Sequence, residues 1–94
     1  MSMIDVTVSE LRSAASKIKN QIEVYRDANS RVDTTAGNLA TMWEGDAHDK
    51  FYTEYELYKG YFTKMIAAME SHAAFLETTA SKMEEADREA AAKI

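Results

Sequence analysis

Trp43-Glu44-Gly45-Asp46 is the one strong interruption in a 94-residue chain with no proline and three glycines, and its position decides the fold. On either side the sequence is rich in Ala, Glu, Lys and Met, with 46% apolar residues overall. That composition favours long helices, because small strand-rich domains need many Gly and Pro turns. The quartet therefore reads as a turn at residues 43–46 between helix 1, over about residues 8–42, and helix 2, over about residues 47–90. Two long helices joined so tightly fold back as an antiparallel hairpin.

Upstream, Thr7-Val8-Ser9-Glu10 has the form of a capping box, the Thr7 hydroxyl accepting from the Glu10 amide while the Glu10 carboxylate reaches back. Val6 and Leu11 are placed as the hydrophobic staple, so helix 1 begins at Val8. From there Leu11, Ala15, Ile18, Ile22, Tyr25, Val32, Ala36, Leu39 and Trp43 recur at alternating spacings of four and three, the seam of a helix that packs lengthwise on another. Asn29 is the polar member, either a solvent-edge side chain or a register-setting group. Gly37 costs about 1 kcal/mol against Ala in a helix interior, which a close approach of another backbone would explain.

Downstream, Asp46 is placed to cap helix 2, with Asp49 in its first turn. The seam resumes at Phe51, Tyr55, Tyr58, Phe62, Met65, Met69, Leu76, Met83, Ala86 and Ala90, with His72 and Thr79 as polar members. Between Tyr61 and Ala80 the stripe broadens, with Tyr61, Ala68 and Phe75 on one shoulder and Ile66, Ala73 and Ala80 on the other. A lone hairpin is one layer of helices and cannot cover both flanks of such a stripe. Two hairpins are therefore expected to associate into a four-helix bundle.

Size points the same way. A single core in so short a chain is marginal without disulfides, a metal or a partner, and with no cysteine a disulfide is impossible. Helix 1 carries five basic and four acidic residues, whereas the chain from Trp43 onward carries six basic and eleven acidic. Packing helix 1 of one copy on helix 2 of another avoids the worst like-charge repulsion and favours a homodimer, with a heterodimer the alternative. Helix 2 also outruns helix 1: pairing backwards from the turn exhausts helix 1 near Lys82. Residues 83–94 then form an overhanging tail of strong helix formers, steadied by Glu84 with Arg88 and Glu89 with Lys93. A frayed terminus is the alternative.

Several function classes fall away. A net charge of −5 argues against nucleic acid and against an anionic membrane surface. No apolar stretch approaches the roughly 20 residues needed to span a bilayer, and Met1–Asp5 has neither the basic nor the apolar region of a Sec-type signal. The chain is thus expected either to stay inside or to leave by a route that reads another signal. Glu44, Asp46, His48 and Asp49 form the only compact group with metal-ligand chemistry, and capping and helix-dipole roles account for the acids without a metal. No phosphate loop or nucleophile motif occurs, so no catalytic residue and no cofactor is expected. The aromatics from Phe51 to Phe62 sit at helical spacing among acids, which reads as packing rather than base stacking. Trp43 remains, either ordinary helix-end packing or a partly exposed aromatic anchor beside a glycine that lets the backbone turn.

Trp43-Glu44-Gly45 midway along a chain of about one hundred residues, between two amphipathic helices, resembles the WXG-motif family of small secreted helical hairpins related to the early secreted antigenic target of mycobacteria. The resemblance spans essentially the whole chain. It extends to a C-terminal pattern of bulky apolar residue, acid, weaker apolar residue and apolar residue, which falls here on Met83, Asp87, Ala90 and Ile94, with Met83 where many relatives have Tyr.

The resemblance implies a dimeric four-helix bundle, non-enzymatic and without cofactor, exported through a type VII (Esx-like) secretion system and extracellular after export. It further implies that the turn of one protomer, here Trp43 and Gly45, lies near its partner's tail. Together with Met83, Asp87, Ala90 and Ile94 the turn would make a composite export signal read by the membrane ATPase of the machine. Two other readings stand beside it. One is a helical partner that escorts a larger secreted toxin; the other is a membrane-active effector, which the acidic surface disfavours.

Overall fold

A computed structural model describes residues 6–93 as two α-helices, α1 (Val8–Ala40) and α2 (Asp46–Ala92), folded back on each other as an antiparallel hairpin. Forty-seven residues at about 1.5 Å each give α2 a length near 70 Å, which accounts for the 74 Å long axis of a body only 21 × 20 Å across.

The start of α1 is the capping box expected at Thr7: the Glu10 amide donates to Thr7 Oγ1 at 3.0 Å, and the Thr7 amide donates to Glu10 Oε1 at 3.1 Å. Its end comes at Ala40, two residues short of the expected Met42. There the Thr41 and Met42 amides donate to Asn38 and Leu39 carbonyls, and the Thr41 hydroxyl adds a bond of 2.8 Å to Asn38, tightening the last turn into a stop. Gly45, not Asp46, is the N-cap of α2. It contributes no side-chain cap, and Asp46 is the first helical residue, where its charge favours the positive helix end.

Cross-hairpin ion pairs join the helices. Arg12 pairs with Glu84, Lys19 with Glu77 and Arg26 with Glu70, each step being seven residues on both helices. These side chains reach along the helices, and the shorter bonds from Tyr52 to Ala36, Tyr55 to Asp33 and Tyr58 to Asn29 give the backbone register, at which Val8 comes level with α2 near Ala80. α2 therefore outruns α1 from about Met83, and Arg12 reaches along it to Glu84. Ile94 lies outside the described residues.

The core between the helices is narrow and made of small side chains. Ala15, Ile22 and Ala36 from α1 meet Ile66, Ala73 and Ala80 from α2, and no large side chain among the described residues is fully buried. The line that closes the hairpin on α2 is thus the shoulder Ile66, Ala73, Ala80, since alanines let two helix backbones come close. Gly37 plays no such role: a Cβ placed on it would meet nothing within 4 Å.

Candidate interaction site

The two long edges of the hairpin differ in kind. One carries the rungs Arg12–Glu84, Lys19–Glu77 and Arg26–Glu70. The other is mainly apolar, with Asp33 and Lys59 the charged groups that meet it, both at Tyr55. There Tyr25, Ala28 and Val32 of α1 and Tyr58, Phe62 and Met65 of α2 line an open groove of about 430 Å³. A second hollow continues it toward the turn between Val32, Ala36, Leu39, Phe51, Tyr55 and Tyr58, and neither is lined by an ionisable acid or base other than tyrosine.

The seam residues divide between core and open edge. Ile22 is buried in the hairpin, and Leu11, Ile18, Leu39, Phe51, Tyr55, Phe62, Met69 and Leu76 are half-buried along its margin. Tyr25, Val32, Tyr58 and Met65 stay 40–44% exposed. The periodicity that looked like one seam is two neighbouring lines, one closing the hairpin and one facing outward. His72, expected in the seam, is exposed in the hairpin.

Surface area measures what is left uncovered. A compact monomer of 10.6 kDa exposes about 5,500 Å², whereas this hairpin exposes 7197 Å². Part of the excess is the elongated shape and part is the apolar edge.

Tyrosine hydroxyls brace the turn-proximal half by bonding across to α1. Tyr52 donates to the Ala36 carbonyl, Tyr55 to Asp33 Oδ1 and Tyr58 to Asn29 Oδ1 at 3.1 Å. Asn29 is therefore an acceptor on a half-buried margin. Desolvation first, then the hydrogen bond to Asp33, push the Tyr55 phenol up to about 12. The ladder Phe51, Tyr55, Tyr58, Phe62 runs at centroid spacings of 5.8–6.2 Å and continues from Phe51 to Trp43 at 5.6 Å. Asp33 and Tyr52 were not singled out as site residues, and only a pairing register could have indicated their bonds.

At the turn, Trp43 is half-buried and Gly45 exposed, with Gly45 at φ 106° and ψ −174°. That region of backbone space is essentially closed to residues with a Cβ. At the other end of the molecule Met83 is half-buried, while Asp87 and Ala90 are exposed. The turn and tail of one chain thus lie at opposite ends of a 74 Å body and do not meet within it. Among the described residues no three His, Asp or Glu side chains converge as metal ligands would, and no helix is long and apolar enough to cross a membrane.

Comparison with known proteins agrees with this geometry. The family model WXG100, "Proteins of 100 residues with WXG", matches residues 3–88. Protein YukE of Bacillus subtilis (strain 168) is 29% identical over 92 residues, covering 98% of this chain and 95% of that protein. The crystal structure of the secreted protein ESXB of Bacillus anthracis (strain Sterne) superposes with a TM-score of 0.82 at 25% identity, over 93% of this chain and 99% of that one. EsxA of Geobacillus thermodenitrificans shares the fold, with a TM-score of 0.82 at 24% identity over 97% and 98% of the two chains.

Proposed function

The chain belongs to the WXG100 family, and on that footing we propose that it is a non-enzymatic substrate or adaptor of a type VII secretion system, working as a homodimeric four-helix bundle. The observation that carries this reading is the mainly apolar edge around Tyr25, Val32, Tyr58 and Met65. A second hairpin laid on that edge covers apolar side chains, and the acids Glu70, Glu77 and Glu84 stay engaged on the opposite edge.

Laid antiparallel, the second copy brings its tail to the first copy's turn. Trp43 and Gly45 of one protomer and Met83, Asp87, Ala90 and Ile94 of the other then compose the export signal, with the membrane ATPase of the machine as its reader. The 74 Å length that separates turn from tail within one chain supports a signal shared between two protomers. Export through that machine makes the protein extracellular at its destination.

Two measurements test the reading. Light scattering on the purified protein at micromolar concentration is expected to give a dimer, and Val32→Glu, which puts a charge in the groove, a monomer. In a host with a type VII system, Trp43→Ala and Asp87→Ala are expected to leave the protein folded and dimeric in the cytoplasm and absent from the supernatant. A well-folded wild-type monomer that binds no related hairpin defeats the dimer. Undiminished secretion of both variants defeats the export signal, and co-purification only with a larger toxin makes the chain an escort.

A further inference from the structure

Trp43 is held between two side chains one turn apart on α2. Phe51 lies on one side with its ring centroid at 5.6 Å, and His48 stands edge-on at 5.8 Å with an interplanar angle of 86°. Phe51 belongs to the ladder along the apolar edge. His48 has a different backing: its ring packs on Tyr52 at 4.8 Å, and Nδ1 donates to Asp49 Oδ1 at 3.1 Å. Tyr52 is itself anchored, its hydroxyl donating to the Ala36 carbonyl of α1.

We propose that His48 is a positioning residue for Trp43, the middle ring of a unit Trp43–His48–Tyr52 that ties the indole's orientation to the end of α1. The turn at Gly45 brings Trp43 back to the first turn of α2, where Phe51 flanks the indole on one side only. An exposed aromatic anchor with two loose torsions loses entropy on docking, and a neighbouring ring that removes that freedom beforehand improves recognition. His48 fits that role because each of its edges is engaged: Trp43 on one, Tyr52 on another and the Asp49 carboxylate at Nδ1. The consequence for secretion rests on Trp43 being half of the export signal; the effect on the indole does not.

The full chain is compared with His48→Ala, His48→Phe and Tyr52→Phe, with far-UV circular dichroism and light scattering as checks of fold and assembly. In the near-UV, where the single Trp gives its own fine structure, His48→Ala is expected to lose most of that signal. His48→Phe, which keeps a ring, is expected to restore it, and Tyr52→Phe to weaken it. In secretion, His48→Ala should export severalfold less than wild type and His48→Phe close to it. An unchanged near-UV spectrum in His48→Ala, or one that His48→Phe does not restore, overturns the proposal. A lost near-UV signal with full secretion supports the positioning role and counts against the export reading. Should His48→Ala not fold, the other two variants decide the matter: a wild-type-like spectrum in His48→Phe with a weakened one in Tyr52→Phe upholds the proposal, and an unweakened one in Tyr52→Phe overturns it.

Discussion

Arg12 and Glu84, 72 residues apart in the chain, form a two-pronged ion pair in which both prongs measure 3.2 Å. This pair ties the start of α1 to the beginning of the stretch of α2 that outruns it. Its hydrogen bond, and then its charge, hold the Glu84 carboxyl below its ordinary value. A carboxyl whose native value is depressed adds stability that is complete above the ordinary glutamate range, about 4.3, and lost as pH falls through the native value. Thermal melts at falling pH are expected to show an acid loss that Arg12→Gln reduces. Both side chains are about half exposed, so the effect is small and shrinks further in high salt.

Tyr55 predicts the opposite dependence. Its phenol is pushed up to about 12, so its neutral form is the one the native state holds. A group raised in the native state contributes stability that is whole below its unfolded value, about 10, and is lost as pH rises from there through about 12. Absorbance titration of the five tyrosines should show one late ionisation. Tyr55→Phe should remove it, together with part of the alkaline loss of stability.

Glycine-to-alanine changes are expected to have opposite signs at two positions. Gly45 sits at φ 106°, and Gly37 lies in an ordinary helical turn of α1. A Cβ at either meets nothing within 4 Å, so the difference is backbone alone. Gly45→Ala should destabilise by about 1–3 kcal/mol. Gly37→Ala should stabilise by about 1 kcal/mol. Urea unfolding of the two variants under one set of conditions checks both, and a D-alanine at position 45 in a synthetic chain should recover the loss.

The hairpin, its turn and its first cap were legible because each rests on local chemistry. A capping box at Thr7 to Glu10 and a lone glycine break at Gly45 are read within four residues. Which apolar line closes the hairpin was not legible. Lines separated by three or four residues have the same period, and only the mutual rotation of two helices decides that Ile66, Ala73 and Ala80 turn inward while Tyr58 and Met65 stay open. The overhang of α2 could be counted back from the turn, but the reach of Arg12 along it to Glu84 could not, because that depends on which edge each side chain occupies. The contact of His48 with Trp43 needs the turn geometry itself, since the two stand five residues apart across a break.

The alanine core supports a last prediction about spacing. Ala73 and Ala80 are 1% and 0% exposed, opposite a face of α1 that carries Ala15, also 0% exposed. With small side chains on both sides the helices are close, and an added isobutyl group has no room. Ala73→Leu should therefore push α1 and α2 apart and cost about 1–3 kcal/mol, although leucine is as good a helix former as the helix requires. The same leucine at the exposed Ala68 should leave the melting temperature nearly unchanged. Because Lys19–Glu77 and Arg26–Glu70 bracket Ala73, the wider spacing should also loosen those rungs. Amide exchange along residues 19–26 should then accelerate in Ala73→Leu and not in Ala68→Leu. Equal stability and equal exchange in the two variants would show that the helices have slack at their centre and that the closeness of the alanine line is not what holds the hairpin.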